Sequence, residues 1–277
     1  MALSRLARGV ARRLAAWPLR AVDAGTRVEA LESLSEEAII HAAVPGATLQ
    51  FFAPTPLLRS RATGLLEKEP DTIRWIDAMS ANAVLWDIGA NVGVYSLYAA
   101  ARSQCTVLAF EPSAANFYIL SRNIQLNRLE SRVTAYCVAL SGATGLGVLN
   151  LDSSAPGTAM SQFGHAGEAS RYSSERPTLQ GMIGFTIDDF IARFAPPFPT
   201  SIKLDVDGLE WPILQGAART LNDRRLTSLM VELSLTNSAE RDRAMQALAA
   251  SGFTFHSSGA AQSAAGEQAA NHLFVRS

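Results

Sequence analysis

The sequence predicts an α/β fold built around a mainly parallel sheet, and three observations support this prediction. From Val84 onward, short apolar segments typical of buried strands alternate with segments that have helical spacing. The first apolar segment ends in a turn with two glycines, Gly89 and Gly93, and the second ends in Glu111. Because parallel sheets bind ligands beyond the carboxyl ends of their strands, both features indicate a site at one sheet edge.

The elements ahead of the alternating region form a preamble. Residues 31–40 have helical spacing, and residues 47–53 have the apolar character of a strand that Pro54 ends. A short helix is expected over residues 71–79, directly after Pro70.

The alternating region supplies the strands and helices of the predicted sheet. Strands are expected over residues 84–88, 106–110, 132–138, 146–151, 182–187, 201–206, 226–233, 253–256 and 272–275. Helices are expected over residues 94–101, 114–126, 212–221 and 239–250, with another after 187. Strands separated by helices of this length form parallel pairs through right-handed crossovers. No clear helix separates the last two strands, so we expect them to form a terminal antiparallel hairpin.

One segment, residues 152–181, interrupts the alternation. It is rich in Ser, Gly, Pro and Ala. Long irregular segments inside a domain are commonly lids or binding loops, and otherwise they are disordered. We therefore expect an N-terminal extension over residues 1–57 and a ligand-binding domain over residues 58–277, in which residues 152–181 form a lid or substrate loop.

The overall composition excludes some classes of protein. The chain has 277 residues, of which 48% are hydrophobic, and this is enough for a sizeable core. Its formal net charge is -1, so nucleic acid is not an expected partner. Its two cysteines, Cys105 and Cys137, lie in apolar strand-like contexts, which favours buried thiols and a cytoplasmic location.

The first 22 residues are rich in arginine and carry no acidic residue. On a helix, Leu3, Leu6, Val10 and Leu14 would share one face, opposite much of this charge. Such a segment suits peripheral contact with an anionic membrane or an organelle-targeting signal. A solvated helix packed on the domain, or an unstructured leader, is the alternative. No apolar run approaches the roughly 20 residues that a transmembrane helix needs.

The turn after the first strand has the residue types of a nucleoside site. Gly89 and Gly93 allow a sharp turn and let a ligand approach backbone amides. Glu111 ends the second strand, where an acid accepts hydrogen bonds from ribose hydroxyls. The Gly-x-Gly-x-x-Gly pattern of dinucleotide sites is absent. Asp87 and Glu111 therefore suit the cationic cofactor S-adenosylmethionine better than NAD, and a purely structural turn is the alternative.

A second polar segment lies on the strand predicted at residues 201–206. Lys203, Asp205 and Asp207 alternate, so on an extended strand they share one face. Charges on a buried strand are costly unless they are paired or functional. We expect Lys203 and Asp205 to neutralise each other and to leave Asp207 and Glu210 at the mouth of the strand. A structural ion pair that supports the sheet end is the alternative.

Three further acids lie at the ends of predicted elements. Thr186 and Asp189 fit the N-terminal cap of a helix, so Asp188 and Asp189 are expected to be mainly structural. Glu232 ends a strand at the same sheet edge, where it either faces the substrate or caps a neighbouring loop.

Four segments occur in a fixed order: VLWDIGANVGVYSLYAA, VLAFEPSAANFYILSRNIQLN, FTIDDF and IKLDVDGLEWPILQGA. Together they resemble the successive motifs of the FkbM family of methyltransferases, over residues 58–235. A preceding pattern is similar to one subgroup of that family: Arg61, Glu69-Pro70, Thr72 and Trp75-Ile76-Asp77. The family usually has Glu where this chain has Asp207, which keeps the acid but shortens its reach.

The resemblance implies a Rossmann-like class I methyltransferase fold, in which a mostly parallel seven-stranded sheet has an antiparallel last strand and helices on both faces. It also implies contacts with S-adenosylmethionine from a group of residues: Asp87, Gly89, Asn91, Gly93, Glu111, Pro112, Asn116, Ala139 and Asp205. Within this group, Glu111 would hold the ribose and Ala139 would lie near the adenine. Asn116 and Asn127 would lie on the nucleoside side, or else at a helix surface or C-cap.

The expected activity is O-methylation of a hydroxyl on a glycan or another sugar-containing secondary metabolite, with S-adenosylhomocysteine as the product. Asp205, together with Asp207, is the candidate general base or hydroxyl orienter, and Lys203 would tune that acid or stabilise a developing alkoxide. A divalent metal held by Asp205, Asp207 and Glu210 is an alternative that is not favoured. Two other classes stay open, namely a non-catalytic cofactor-binding scaffold and, less favoured, an NAD-dependent oxidoreductase.

Overall fold

The computed structural model describes residues 22–36, 38–165, 178–259 and 268–276. The chain divides into two compact units, Met1–Ile39 and Ile40–Ser277. In the first unit, helix α1 covers Ala24–Glu36. Residues 1–21 lie outside the described residues, so the membrane or targeting role of the arginine-rich segment stays a prediction, as does the domain boundary after residue 57.

The remaining helices are α2 (Pro56–Thr63), α3 (Leu65–Lys68), α4 (Pro70–Asp77), α5 (Val94–Arg102), α6 (Ala114–Leu126), α7 (Ile187–Phe194), α8 (Glu210–Gln215), α9 (Ala218–Asn222) and α10 (Ser238–Ala250). The strands are β1 (Ile39–Val44), β2 (Ala47–Phe52), β3 (Val84–Ile88), β4 (Thr106–Phe110), β5 (Val133–Tyr136), β6 (Ala139–Leu140), β7 (Gly145–Leu151), β8 (Gln162–His165), β9 (Thr178–Phe185), β10 (Ser201–Leu204), β11 (Ser228–Ser234), β12 (Phe253–Ser258) and β13 (Ala269–Arg276). None of the described helices combines the length and the apolar character that crossing a bilayer requires.

The central sheet has seven strands in the order β12-β13-β11-β10-β3-β4-β5. Strands β5, β4, β3, β10 and β11 form parallel pairs, whereas β13 runs antiparallel to both β11 and β12. The predicted parallel sheet with an antiparallel last strand is therefore confirmed. The carboxyl ends of the parallel strands meet at one edge, and Gly89, Glu111 and Asp205 each follow directly after a strand there.

Alternating residues of the central strands pack on opposite faces of the sheet. On β3, Leu85 belongs to a buried cluster with Leu97 of α5, whereas Trp86 belongs to a second cluster with Ile213 of α8. All four side chains are fully buried. Helices thus cover both faces of the sheet, as predicted, and the packing fixes the edge at which the strands end.

Two predicted helices differ from the observed elements. The helix predicted over residues 31–40 stops earlier, and Ile39 begins β1, because β-branched residues favour the pairing of β1 with β2. The helix predicted over residues 212–221 is divided into α8 and α9. Gly216 lies between them, at a point where a Cβ would lie 2.9 Å from the carbonyl oxygen of Ser141.

A second sheet has four strands in the order β6-β9-β7-β8. Strand β8 and the first residues of β9 replace part of the irregular segment expected over residues 152–181. Gly164 and Gly181, which weaken the strand pattern in the sequence, both pair with Val148 of β7. Residues 166–177 lie outside the described residues, and the segment between β7 and β8 forms a loop.

Candidate functional site

A cavity of about 530 Å³ lies at the carboxyl ends of β3, β4, β10 and β11. Eight carboxyl groups line it: Glu67, Glu69, Asp87, Glu111, Asp205, Asp207, Glu210 and Glu232. Three cationic side chains also line it: Arg61, Lys68 and Lys203. Because the acids outnumber the bases, the cavity favours a ligand that carries positive charge.

The turn after β3 brings two strand ends into close contact. Gly89 has a φ of 86°, in the left-handed region that favours glycine. A Cβ on this residue would lie 1.8 Å from the carbonyl oxygen of Asp205, at the end of β10. The N–H groups of Gly89 and Ala90 both donate to the carbonyl of Phe110, at 3.0 Å. The turn is therefore fixed between β4 and β10, and its backbone lines the cavity.

Gly93, the second glycine of the turn, has a different environment. Its φ is 85°, and a Cβ would lie 2.4 Å from Leu120 Cδ1 and 2.9 Å from Leu97 Cδ1. Gly93 is not among the residues that line the cavity. The packing of α5 against α6 accounts for this glycine, so its contact with a cofactor is supported by the family resemblance alone.

Glu111 is held at the end of β4 by backbone donors. Its Oε2 accepts from the N–H of Asn91 at 2.8 Å, and its Oε1 accepts from the N–H of Ser113 at 2.8 Å. Burial outweighs these hydrogen bonds and raises the pKa of Glu111 to about 7. Asn91 has a φ of 50°, and its buried Oδ1 has no hydrogen-bond partner among the described residues. Glu111 and Asn91 both line the cavity, so the site offers acceptor oxygens to a ligand.

Asp87 lies on β3 at the back of the cavity. Its carboxylate accepts a hydrogen bond from the hydroxyl of Ser96 in α5, and it lies opposite Lys203 in the β3–β10 register. Burial raises the pKa of Asp87, although the charge of Lys203 and the bond from Ser96 act in the other direction. Asp87 therefore belongs to the same charged group as Lys203, on neighbouring strands.

Lys203 is a buried cation surrounded by acids. Its Nζ lies 2.6 Å from Oδ2 of Asp205 and 3.8 Å from Oε2 of Glu69, and 4.9 Å from the ring centre of Tyr95. Burial acts to lower the pKa of Lys203, but Asp205, Glu69 and Asp87 raise it well above its ordinary value. The predicted ion pair between Lys203 and Asp205 is present, and Glu69 is a second counter-ion.

Asp207 does not share the face of Lys203 and Asp205, because β10 ends at Leu204. Asp207 has a φ of 56° and lies in a turn, so the prediction of three alternating charges on one extended strand is wrong at this position. Its Oδ2 accepts from the N–H of Met160 at 2.6 Å. Burial, followed by the charge of Asp205, raises the pKa of Asp207 to about 6.

Two glutamates flank this turn. Glu210 accepts hydrogen bonds from the N–H groups of Val206 at 3.1 Å and Gly208 at 3.2 Å, so it holds the turn in place. Burial raises the pKa of Glu210 to about 7. Glu232 of β11 lines the cavity, and the charge of Asp205, followed by burial, raises the pKa of Glu232. Glu232 thus faces the cavity, which was one of its two predicted positions.

The loop between β7 and β8 lies across both halves of the site. The N–H of Gly157 donates to Asn116 Oδ1 at 2.7 Å, and its carbonyl accepts from Arg61 Nε at 2.6 Å. The carbonyl of Thr158 accepts from the side-chain amides of Asn91 at 3.0 Å and Asn116 at 3.1 Å. Together with the bond from Met160, these contacts join the loop to the Glu111 side and to the Asp207 side.

Other residues predicted near the cofactor are divided between the cavity and the protein interior. Pro112 and Asn116 line the cavity. Ala139 is buried in β6 and is not among the lining residues. Asn127 caps α6 and binds the edge of β2, because its Oδ1 accepts from the N–H of Gln50 at 2.8 Å and its Nδ2 donates to the Gln50 carbonyl at 2.7 Å.

Asp188 and Asp189, at the start of α7, make structural contacts. Asp188 Oδ1 accepts from the N–H of Thr220 at 2.9 Å and from its hydroxyl at 2.6 Å. Asp189 accepts from the hydroxyl of Thr144 at 2.7 Å. Neither aspartate lines the cavity, and among the described residues no group of three or more His, Cys, Asp or Glu side chains has the arrangement of a metal site.

Two residues of the site were noticed in the sequence only as part of a motif. Arg61 of α2 lines the cavity, and Glu69, buried before α4, accepts hydrogen bonds from Thr72 Oγ1 at 3.0 Å and Asn271 Nδ2 at 2.9 Å. Both belong to the pattern ahead of the first sheet strand. Only their place in this motif indicates from the sequence that they belong to the site, because sequence spacing alone does not show which helix packs over the sheet edge.

The order of the seven strands, together with the nucleoside-type turn after β3, defines a class I methyltransferase fold. Residues 87–256 match the family described as the Methyltransferase FkbM domain. This match covers more than half of the chain. The chain therefore belongs to the FkbM family of S-adenosylmethionine-dependent methyltransferases, and the resemblance carried by the four motifs is confirmed.

Two curated relatives are also methyltransferases. Hexuronic acid methyltransferase AglP of Haloferax volcanii is 27% identical over 157 residues, which are 56% of this chain and 59% of that protein. Methyltransferase sdnD of Sordaria araneosa is 40% identical over 68 residues, which are 24% of this chain and 26% of that protein. The chain thus spans less than two thirds of the length of either relative.

Solved structures that match include M. jannaschii TYW2 in complex with AdoMet, at 12% identity and a TM-score of 0.46, covering 87% of this chain and 87% of that chain. Precorrin-6y C5,15-methyltransferase from Geobacter metallireducens matches at 11% identity and a TM-score of 0.46, covering 76% of this chain and 87% of that chain.

Proposed function

We propose that this protein transfers the methyl group of S-adenosylmethionine to a hydroxyl of a glycan or another sugar-containing metabolite. The observation that carries the proposal is that the Gly89–Glu111 side and the Asp205–Asp207 side line one acid-rich cavity. The first side has the residue types that hold a nucleoside. The second side has carboxylates that suit proton transfer from a hydroxyl.

The lining residues fit the proposed cofactor. S-adenosylmethionine carries a sulfonium and an ammonium, and the excess of carboxylates favours both. The turn at Gly89 and Asn91 lines the cavity, and Asn91 Oδ1 has no partner among the described residues. Glu111 would accept hydrogen bonds from the ribose hydroxyls, since each of its oxygens can accept more than the bond that it receives from the backbone. When bound, the cofactor supplies a methyl group that a positively charged sulfur activates.

The other cofactor contacts are proposed from the same side of the cavity. Asp87 would add negative charge at the back, and Pro112 and Asn116 would border the nucleoside. The contacts of Gly93 and Ala139 are proposed from the family resemblance. The loop that holds Thr158 and Met160 is our candidate lid, because it covers both sides of the cavity.

Asp205 and Asp207 are proposed to divide the work on the acceptor. Burial acts to raise the pKa of Asp205, but the charge and the hydrogen bond of Lys203 outweigh it and keep this pKa low. A carboxylate that stays ionised is a weak base, so Asp205 orients the acceptor hydroxyl. Asp207, with a pKa of about 6, is the stronger base and takes the proton. Lys203 stays protonated and would stabilise negative charge that develops on the acceptor oxygen.

A sugar-type acceptor is proposed from two observations. The cavity wall is rich in groups that accept hydrogen bonds, and sugar hydroxyls are donors. AglP, which shares 27% identity with this chain, is a hexuronic acid methyltransferase. Nucleic acid is not proposed as the acceptor, because a chain of phosphates would bring many negative charges to the carboxylates of the cavity, whereas a single sugar brings at most one.

The direct experiment is transfer of a labelled methyl group. The full chain is incubated with methyl-labelled S-adenosylmethionine and a panel of neutral sugars, uronic acids and glycan extracts, with and without a chelator. The proposal expects label in a sugar-containing product as a base-stable ether, and S-adenosylhomocysteine in equal amount. Label released by mild base would indicate an ester, and thus transfer to a carboxylate instead. Tight cofactor binding without transfer to any acceptor would favour the non-catalytic scaffold.

A further inference from the structure

Arg61 is a cation that the proposed chemistry does not use. It projects from α2 into the cavity wall, where its Nε donates to the carbonyl of Gly157 at 2.6 Å. Among the described residues, Arg61 makes no other hydrogen bond and no salt bridge. An arginine side chain has five N–H donors. The two terminal nitrogens of Arg61 are therefore available to a ligand.

The other two cations of the cavity are already engaged. Lys203 forms its ion pair with Asp205 at 2.6 Å and lies beside Glu69. Lys68 is 44% exposed and lies 3.7 Å from Glu69, so water and that carboxylate share its charge. Within the described part of the lining, Arg61 is the cation best placed to meet an anionic group of a bound molecule.

The position of Arg61 relates it to both sides of the site. Arg61 lines the same cavity as Asp205, Asp207 and Glu111. Burial lowers the pKa of Arg61, although the charges of these three carboxylates act to raise it. In the proposed function, Glu111 holds the ribose, and the two aspartates face the reacting methyl group. In S-adenosylmethionine the sulfur is bonded to both the ribose carbon and the reacting methyl group, and its third substituent is the aminocarboxypropyl chain, which ends in the one carboxylate of the cofactor.

We propose that Arg61 binds the α-carboxylate of S-adenosylmethionine. This inference rests on the proposed function, and it adds a residue ahead of the first sheet strand to the cofactor site. A carboxylate that enters a cavity lined by eight acids is repelled unless a cation meets it. The terminal N–H groups of a guanidinium form two parallel bonds with a carboxylate, and Arg61 has these groups available.

The test compares two ligands that differ only at the carboxylate. Binding of S-adenosylmethionine and of decarboxylated S-adenosylmethionine is measured by calorimetry without an acceptor, so that no turnover occurs. The proteins are the unaltered chain, Arg61→Met, Arg61→Lys and Arg59→Met. Arg59 is an exposed arginine of the same helix and is not among the lining residues, which makes it a matched control.

The unaltered chain and Arg59→Met are expected to bind S-adenosylmethionine about 10- to 100-fold more tightly than the decarboxylated ligand. In Arg61→Met this preference should fall to near unity, while the affinity for the decarboxylated ligand changes less than threefold. Arg61→Lys should retain part of the preference, because it keeps the charge but lacks the planar fork.

Three results would overturn the inference. An equal loss for both ligands in Arg61→Met would show that the residue acts only through the Gly157 loop. An unchanged preference would show that Arg61 does not meet the carboxylate. A preference already near unity in the unaltered chain would show that no cation of the site meets the carboxylate. If the unaltered chain binds neither ligand, the proposed function itself fails, and this outcome is distinct from the other three.

Discussion

Lys203 and Asp205 form a buried ion pair at the end of β10, with 2.6 Å between Nζ and Oδ2, and Asp207 lies outside this pair in a left-handed turn. The two aspartates are two residues apart, yet their acidities move in opposite directions. Lys203 holds the pKa of Asp205 below its ordinary value, whereas burial raises the pKa of Asp207 to about 6. In the proposed function, this difference is the basis for assigning hydroxyl orientation to Asp205 and proton acceptance to Asp207.

Substitution of Asp207 should affect both the rate and its pH dependence. We expect Asp207→Asn to lower kcat by about 10²- to 10⁴-fold, the usual contribution of a general base. In the unaltered enzyme, kcat should rise with pH through about 6 as Asp207 ionises, and this limb should be lost in the variant. The measurement is kcat against pH with saturating cofactor and acceptor. If the variant kept this limb, a group other than Asp207 would be the base.

Asp205→Asn should give a different pattern. The amide still accepts a hydrogen bond, but Lys203 loses its nearest counter-ion. The pKa of Glu232 should fall, because the charge of Asp205 is the main cause of its raised value. We expect a loss of kcat with the pH limb retained but moved below 6, because the charge of Asp205 contributes to the raised pKa of Asp207. Affinity for S-adenosylhomocysteine and the thermal unfolding temperature serve as controls for folding. An absent limb would argue that Asp205 is itself the base.

Glu111→Gln should weaken cofactor binding most at high pH. Burial raises the pKa of Glu111 to about 7, so the carboxylate form that suits a cationic nucleoside increases as pH rises through that value. In the unaltered chain, affinity for S-adenosylmethionine should therefore increase between pH 6 and pH 8. In Glu111→Gln this increase should be smaller, which calorimetry at several pH values would show. Parallel pH profiles in the two proteins would contradict the ribose role.

The burial of Glu111 and Glu210 also predicts how the stability of the ligand-free protein depends on pH. Glu111 and Glu210 both have pKa values raised from 4.5 to about 7, so the folded state holds these protons more tightly than the unfolded state. The resulting stabilisation is fully present below pH 4.5 and is lost as pH rises to about 7, at about 1 to 3 kcal/mol for each group.

Urea unfolding at several pH values measures this contribution. The comparison of the unaltered chain with Glu210→Gln isolates one group, because the amide cannot ionise. Between pH 5 and pH 8 the variant should lose less stability than the unaltered chain. An equal loss in the two proteins would show that Glu210 is ionised throughout this range.

The sequence predicts the proposed cofactor side of the cavity better than the proposed acceptor side, for physical reasons. Gly89 and Glu111 follow directly after buried strands, and the parallel sheet brings such ends together whatever the rest of the chain does. The sequence predicts the wrong position for Asp207, because the alternating charges continue past Leu204 and no local feature shows that β10 ends there. Arg61 reaches the cavity through the packing of α2, which sequence spacing does not specify.

The loop between β7 and β8 is a second feature whose contacts the sequence does not predict. Its backbone at Gly157 and Thr158 is fixed by Asn116 and Asn91, which are distant in the chain. Residues between β8 and β9 lie outside the described part, so their role as a substrate loop stays a prediction. Local composition identified the segment as irregular, but its hydrogen-bond partners depend on the assembled sheet edge.

Asn127 offers a test of where the nucleoside side of the site ends. The residue binds the backbone of Gln50 through two hydrogen bonds, at 2.8 Å and 2.7 Å. We expect Asn127→Ala to lower the free energy of unfolding by about 1 kcal/mol, because the partly buried backbone groups of Gln50 lose their partner. Affinity for S-adenosylmethionine should change less than twofold. A selective loss of cofactor affinity without a loss of stability would instead support a nucleoside contact.

Alanine at Gly89 should be far more damaging than alanine at Gly46, although the backbone of both is left-handed. Gly46 has a φ of 81° and nothing within 4 Å of a Cβ, so Gly46→Ala should cost only the conformational strain of about 1 to 2 kcal/mol. At Gly89, with a φ of 86°, the Cβ would lie 1.8 Å from the carbonyl oxygen of Asp205, and backbone must move to accept it.

That movement would displace the end of β10, and with it Asp205 and its ion pair with Lys203. We therefore expect Gly89→Ala to lose both cofactor binding and methyl transfer, and to unfold at lower urea than Gly46→Ala. Chemical denaturation and calorimetry on the two variants separate the cost of backbone strain from the cost of the steric clash with Asp205. Equal stability and equal affinity in the two proteins would mean that the turn and the end of β10 are not in contact, and the two halves of the site would then not share one fixed edge.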